Sequence, residues 1–321
     1  MTPVPDLLDR PTSEGARVVV LALLAEARER AGRLGVPGDD EALHDFRVSV
    51  RRLRSALRAW RGVLPRAVRD KDLRRLRRVA RSTGEARDAE VLLAWLGQVA
   101  PERPAAQRPA AAWLARRLAP REGVTGLQRT GGRLVATADR LSRCLGTESS
   151  ARRNAPPGET FGAAVASRIR EQARAVAGFL ARVESLDDAP LAHRARIRGK
   201  RLRYLLEPLR NGTGASPGRA LKSLKRLQDI LGELNDARVA AEVLRTARRE
   251  AEGDPATGPG LRRGLRALEV QASLRAEAAF DRLRTEVLTR RGKGALGPAL
   301  EVAAALESRG APPVTDGRAG P

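Results

Sequence analysis

The chain holds two histidines, and each opens a run of cations: "HDFRVSVRRLR" from His44 to Arg54 and "HRARIRGKRLR" from His193 to Arg203. A histidine in such company can ligate a metal, move a proton, donate a hydrogen bond to an anion, or simply bond to a neighbouring helix. Zinc needs three or four ligands of His, Cys or carboxylate type, and each run supplies one His among arginines whose charge repels a cation. A general base normally has an orienting carboxylate; Asp45 lies about 100° from His44 on a helix, and the second run has Arg194 in its place. Donation to an anion and a structural hydrogen bond are the two stronger readings, the first ahead of the second.

The cations themselves are better placed for chemistry. On a helix at about 100° per residue, His44, Arg47, Arg51, Arg54 and Arg58 fall within a sector roughly 80° wide. Phe46, Val50, Leu53, Ala56, Leu57 and Trp60 cluster on the opposite side, as an amphipathic helix docked on a core requires. The second run repeats the pattern, with His193, Arg196, Lys200 and Arg203 on one stripe and Leu202, Leu205, Leu206 and Leu209 turned away. Ordinary solvated faces mix signs, because like charges at i, i+4 cost a few tenths of a kcal/mol. A stripe of one sign in both copies argues for an anion-binding face.

The repetition extends beyond the two runs. They are offset by 149 residues, pairing His44 with His193, Arg47 with Arg196, Arg51 with Lys200 and Arg54 with Arg203. A second pair of blocks recurs at an offset of 148, "LRRLRRVARSTGEARDAEV" from Leu73 and "LKSLKRLQDILGELNDARV" from Leu221. There Arg74 answers to Lys222 and Arg77 to Lys225, while Arg81 is opposed by Asp229, so that position breaks the basic pattern. Two blocks in one order and nearly one spacing indicate two similar helical bundles. The acids before each His-led helix, Asp39 with Asp40 and Asp187 with Asp188, admit a magnesium reading, but N-capping is the cheaper explanation. "GEARD" and "GELND" read first as helix stops at Gly84 and Gly232 with restarts at Asp88 and Asp236. A role for Glu85, Asp88, Glu233 and Asp236 in bracing the arginines is the weaker alternative.

These elements set the expected frame. Apolar residues at three- and four-residue spacing, with no sustained alternation of period two, make the protein all-α. Helices are expected near 15–34, 41–62, 66–82, 86–99, 108–118 and 123–146, then 160–185, 189–210, 217–231, 234–252, 259–291 and 296–308. The division is an N-terminal extension over 1–14, a first helical half over 15–147, a linker over 148–159, a second half over 160–308 and a disordered tail over 309–321.

Composition narrows the partner. Lys and Arg number 61 against 38 Asp and Glu, a formal net charge of +23, and only five of the cations are Lys. Such an excess repels itself in a compact state and points to an anionic partner: nucleic acid, anionic membrane or another polyanion. The arginine bias suits multidentate grip on phosphate, though a GC-rich genome produces the same bias. One cysteine, Cys144, excludes an intramolecular disulfide and any multi-Cys zinc site. "VVVLALLA" over 18–25 follows acidic residues and is too short to span a bilayer, so a cytoplasmic protein without membrane insertion is expected.

With the duplicated blocks in view, the chain resembles the CHAD family, the conserved histidine α-helical domain. The resemblance rests on "HDFRVSVRRLR", "HRARIRGKRLRYLLE", "LQDILGELNDA" and the weaker "VARSTGEARDA", and covers about residues 15–308. It implies two pseudo-symmetric four-helix bundles around a basic central groove, binding of inorganic polyphosphate and association with polyphosphate granules. Carried over by position, the binding residues are His44, Arg47, Arg51, Arg54, His193, Arg196, Lys200, Arg203, Arg74, Arg77, Lys222 and Lys225; the stripes add Arg58 and Arg81. Some family members carry a CYTH module with a Glu-x-Glu-x-Lys motif. That motif does not occur here and residues 1–14 are too few for another domain, so a stand-alone binding module is expected.

Polyphosphate has no bases, and aromatics are 2% of the chain, whereas single-strand binders usually add stacking platforms. Nucleic acid is therefore the second choice of ligand. A polyphosphate-processing enzyme is the rival of another class, but no Walker-type loop is present and the stripes contain almost no acids to recruit Mg²⁺. No turnover, metal or cofactor is expected. Granule proteins are further candidate partners, if binding serves to target a scaffold.

Overall fold

The computed structural model describes residues 6–39, 41–64, 68–83, 92–97, 107–118, 124–146, 159–210, 217–289 and 293–310. Helix α1 (Thr12–Gly32) buries Val19, Val20, Leu24, Ala27 and Ala31 along one side, and α2 (Ala42–Ala59) buries Phe46, Val50, Leu53 and Leu57. The spacing of three and four is the reason both are helices with a single docked face. They are followed by α3 (Asp70–Ser82), a helical stretch over 92–97, α4 (Arg108–Leu118) and α5 (Val124–Gly146). The second part of the chain forms α6 (Phe161–Leu180), α7 (Ala189–Leu206), α8 (Gly218–Gly253), α9 (Pro259–Leu283) and α10 (Lys293–Gly310). Among the described residues there is no strand, only an isolated bridge between Pro11 and Thr160, so the protein is all-α.

The basic helices α2 and α7 are positioned differently at their N-termini. Between α1 and α2 the chain turns through Gly35 and Gly38, at φ +82° and +80°, a region glycine enters without steric cost. Asp39 is claimed by Arg33, whose Nε and Nη2 donate to its two oxygens at 2.7 and 2.8 Å while Nη1 reaches Asp45 at 2.6 Å. That guanidinium holds the Asp39 carboxyl below the usual carboxylate range, and the N-cap of α2 is Glu41, with no side-chain cap bond. Asp188 accepts the N–H groups of Glu184 and Ser185, each at 3.0 Å, and closes the 3₁₀ turn Leu186–Asp188 before α7. Asp188 thus closes the 3₁₀ turn but, although it stands at the N-cap position of α7, makes no side-chain bond to that helix; Asp39 is held chiefly by Arg33, with the Ala42 N–H at the start of α2 a lesser partner; Asp40 lies outside the described residues.

Within the first part α1 packs on α2 and α5, and α3 on α2 and α5; within the second, α6 packs on α7 and α10, and α8 on α7 and α10. The parts meet through α1 against α6 and α2 against α7, and one apolar core runs through both. A smaller core joins Trp95, Leu96 and Leu114 to Leu244, Leu265 and Leu268, where the C-terminal half of α8 and the start of α9 meet the 92–97 stretch and α4.

One expected boundary is overturned. Gly232 does not stop a helix: α8 runs unbroken from Gly218 to Gly253, so the two helices expected at 217–231 and 234–252 are one. A glycine inside a helix costs about 1 kcal/mol relative to alanine. Leu227, Ile230, Leu231 and Leu234 are buried on both sides of it, each contributing roughly 1.5–3 kcal/mol by burial, and their spacing continues through the glycine. The stop and restart expected at Gly84 and Asp88 fall outside the described residues. The ends of the chain also differ from expectation: Leu7 and Leu8 belong to the core, so the fold begins before residue 15. Arg309, expected in the tail, belongs to α10 and pairs with Asp9 at 3.1 Å; residues 311–321 lie outside the described residues.

The starts of α1 and α6 are laced together. Phe161 N–H donates to Arg10 O and Gly162 N–H to Leu8 O, both at 2.8 Å. Gly15 makes this possible, because a Cβ there would stand 2.6 Å from Phe161 Cβ and 2.7 Å from its Cδ2. The Phe161 ring is itself backed by Trp60, with centroids 4.9 Å apart. Gly15→Ala is expected to destabilise the fold by about 1–3 kcal/mol through overpacking, read as a lower midpoint in urea; an unchanged midpoint would mean that Phe161 can move aside freely.

Candidate functional site

Helices α2, α3, α7 and α8 enclose an open cavity of about 1010 Å³. Its basic walls come from both parts of the chain: His44, Arg47, Arg51 and Arg54 from α2, Arg81 from α3, and Arg196, Lys200 and Arg203 from α7. The stripes read from the helical wheel thus turn toward one another, and the face away from each helix's core is an internal wall. Arg47 is 7% exposed, and Arg51 Nε is buried without a hydrogen-bond partner. Arg203 lies over the Tyr204 ring at 5.5 Å and pairs with Glu207 at 3.1 Å.

The remaining wall is polar and partly acidic. From α8 it receives Gln228, Asp229, Gly232, Glu233, Asn235 and Asp236. Gln228 Nε2 donates to the Gly199 carbonyl at 3.1 Å and fastens α8 to α7. Two of the three acids are engaged by exposed cations: Asp229 by Lys225 at 2.9 Å and Glu233 by Arg282 at 2.7 Å. Asp236 accepts from Asn235 Nδ2 at 3.2 Å.

Crowding of like charge shows in the basicity of the walls. Lys200 is lowered to about 7, first by burial and then by Arg196, Arg51 and Arg203, with Asp236 opposing. Burial also pulls Arg54 down, helped by Arg58 and Arg77. Desolvation and neighbouring cations both disfavour a charged side chain, and an anion among these groups removes the second penalty.

The other sequence-derived residues lie elsewhere. His193 is exposed and its Nδ1 is 2.7 Å from Asn235 Oδ1, a bond to a neighbouring helix of the kind weighed as its structural alternative. Arg74, Arg77, Lys222 and Lys225 are exposed and do not line the cavity. Arg58 lines a second, smaller cavity. Sequence reasoning missed Tyr204, Gln228 and Asn235 as wall residues. The signal for Gln228 and Asn235 was present in "QDILGELND" as polar or small residues at 228, 232 and 235–236, helical spacing for one face, but a stop at Gly232 hid it. Among the described residues no group of three His, Cys, Asp or Glu side chains is placed to hold a metal ion, and no helix is long and apolar enough to cross a membrane.

The family model of the CHAD domain matches residues 19–245, a span that contains every residue of the cavity. In three dimensions the chain is similar to the crystal structure of the CHAD domain from the plant Ricinus communis, with a TM-score of 0.61 and 22% identity over 94% of this chain and 93% of that one. It is also similar to PptA from Streptomyces chartreusis, with a TM-score of 0.57 and 18% identity over 92% of this chain and 99% of the other. No curated protein matches the chain in sequence.

Proposed function

The chain belongs to the CHAD domain family, and from that premise we propose that it binds inorganic polyphosphate in the central cavity without turning it over, and that this binding targets it to polyphosphate granules. The observation that carries the reading is the convergence of Arg47, Arg51 and Arg54 from one half with Arg196, Lys200 and Arg203 from the other on a single open cavity. A flexible chain bearing about one negative charge per phosphate unit can meet all of them at once. Guanidinium forks suit its oxygens, since they donate in pairs.

Nucleic acid fits the same charge less well. Base stacking contributes about 1–3 kcal/mol per base in single-strand binders, and among the described residues Tyr204 is the one Phe, Tyr or Trp on the cavity wall, while Phe46 and Trp60 are buried in the core. A competition titration at physiological salt separates the two. Long-chain polyphosphate should be displaced by RNA or duplex DNA only at phosphate concentrations at least about tenfold higher; equal competition per phosphate would overturn the choice of ligand. With seven cations on the walls, a single-strand counterion slope of about −0.7 per contact implies a loss of roughly a thousandfold in affinity between about 50 and 200 mM salt. Release of phosphate from the polymer by purified protein with added metal ions, abolished by His44→Ala or His193→Ala, would replace binding with catalysis.

A further inference from the structure

A second basic pocket lies where the C-terminal end of α2 meets α6 and α7. It measures about 370 Å³ and shares no wall residue with the central cavity. Helix α7 serves both, turning Arg196, Lys200 and Arg203 to one and Arg198 and Arg201 to the other. We propose that this pocket is a separate site for a compact phosphate anion of mono- or diphosphate size, held by Arg58, Arg198 and Arg201.

The duplication supplies the control. At the offset of 149 residues, the pocket's Ser167, Arg168, Glu171 and Gln172 correspond to Val18, Val19, Ala22 and Leu23 of α1. Arg201 corresponds to Arg52, and Arg58 to Glu207. In that other place the arginine is neutralised: Arg52 pairs with Glu26 at 3.0 Å and with Glu207 at 2.8 Å. Here the wall is polar and the position of Glu207 is taken by a third cation. The acid on this wall, Glu171, pairs with Arg198 only at 3.9 Å and is exposed, so it does not cancel the guanidinium groups of Arg58, Arg168, Arg198 and Arg201.

The pocket is also held in shape. Arg168 donates Nε to the Ala59 carbonyl at 2.9 Å and Nη1 to the Ala164 carbonyl at 3.3 Å, with its guanidinium 4.2 Å from the centre of the Trp60 ring. Buried Gln172 accepts from Arg198 Nη1 at 3.3 Å and so fixes that arginine's direction. Burial and the nearness of Arg58 and Arg198 lower the basicity of Arg201, with Glu171 opposing weakly. A guanidinium fixed in this way beside Arg58 and Arg201 offers paired N–H groups of the kind that phosphate oxygens take up, and the volume admits a small anion but not a polymer coil.

Inorganic pyrophosphate is the probe, titrated calorimetrically into the whole 321-residue chain without divalent metal. Arg198→Gln with Arg201→Gln should weaken pyrophosphate binding by about tenfold or more while long-chain polyphosphate stays within about threefold. The cavity variant Arg51→Glu with Lys200→Glu should do the reverse. No pyrophosphate binding by the wild type, or binding unaffected by the first pair, overturns the site. Loss of pyrophosphate in the second pair makes it a ligand of the central cavity, and joint loss of both ligands in the first pair makes the pocket an extension of that cavity; either also overturns a separate site. Retained polyphosphate binding in the second pair bears on the central cavity alone. Matched thermal melts of all variants separate lost binding from lost fold.

Discussion

Reversing Arg51 and Lys200 together to glutamate lowers the affinity for long-chain polyphosphate by at least about a hundredfold, a loss of roughly 3 kcal/mol or more. The two side chains come from different helices and halves, yet Arg51 is among the charges that depress Lys200, so they act on one volume. Beside a bound anion, which keeps Lys200 charged, the double change alters the charge by four units and turns two attractive contacts into two repulsive ones. It also removes repulsion from the empty protein, because Arg196 and Arg203 now face a carboxylate. Melting temperature should stay level or rise, and this separates loss of binding from loss of fold. A polyphosphate titration of the variant, read by displacement of a labelled chain, makes the measurement. Unchanged affinity would move the ligand out of the cavity.

Binding should also take up a proton at mildly alkaline pH. Lys200 sits at about 7 in the empty cavity, so at pH 8 it is mostly neutral. A polyanion beside it favours the charged form and raises that value. Between about 7 and the raised value the complex holds more protons than the free protein, and affinity falls as pH rises, by up to about tenfold per unit. Calorimetry at pH 8 in two buffers of different ionisation enthalpy reads the uptake directly. Lys200→Met should flatten the profile, and the difference between the two proteins removes the titration of the polymer's own end groups. Identical proton uptake in wild type and Lys200→Met would mean that the bound chain does not reach Lys200. The empty fold obeys the same linkage with its own sign: the unfolded chain binds the Lys200 proton more tightly, so stability gains from this group as pH rises from about 7 toward the free-lysine value.

The cationic walls were readable because a helix of one docked face has one free face. The positions of Phe46, Val50, Leu53 and Leu57 therefore dictated where Arg47, Arg51 and Arg54 had to point. How far along the helix the cavity extends was not readable. Arg58 continues the stripe of α2 by one more turn but passes the cavity's end and enters the smaller pocket, because the end is set by where α6 and α7 cross. Lys222 and Lys225 matched Arg74 and Arg77 by alignment, yet all four are exposed outside the walls. A shared offset fixes which helix carries a residue more firmly than which surface covers it. Gly232 failed for a related reason: a glycine is a local stop signal, while the burial of Leu231 and Leu234 that carries α8 through it is tertiary.

The acids of α8 change what sort of container the cavity is. Seven cations, Arg47, Arg51, Arg54, Arg81, Arg196, Lys200 and Arg203, face Asp229, Glu233 and Asp236, and all three carboxylates stand on one helix. Asp229 and Glu233 are ion-paired, so α8 offers little attraction, and on the proposed reading a polyanion would lie against α2 and α7, with water along the other side of the cavity. Such a lining acts as a rail more than a sleeve. On the same reading, a chain would enter without full stripping of solvent and could shift by one phosphate along the arginines, its contacts handed from one guanidinium to the next.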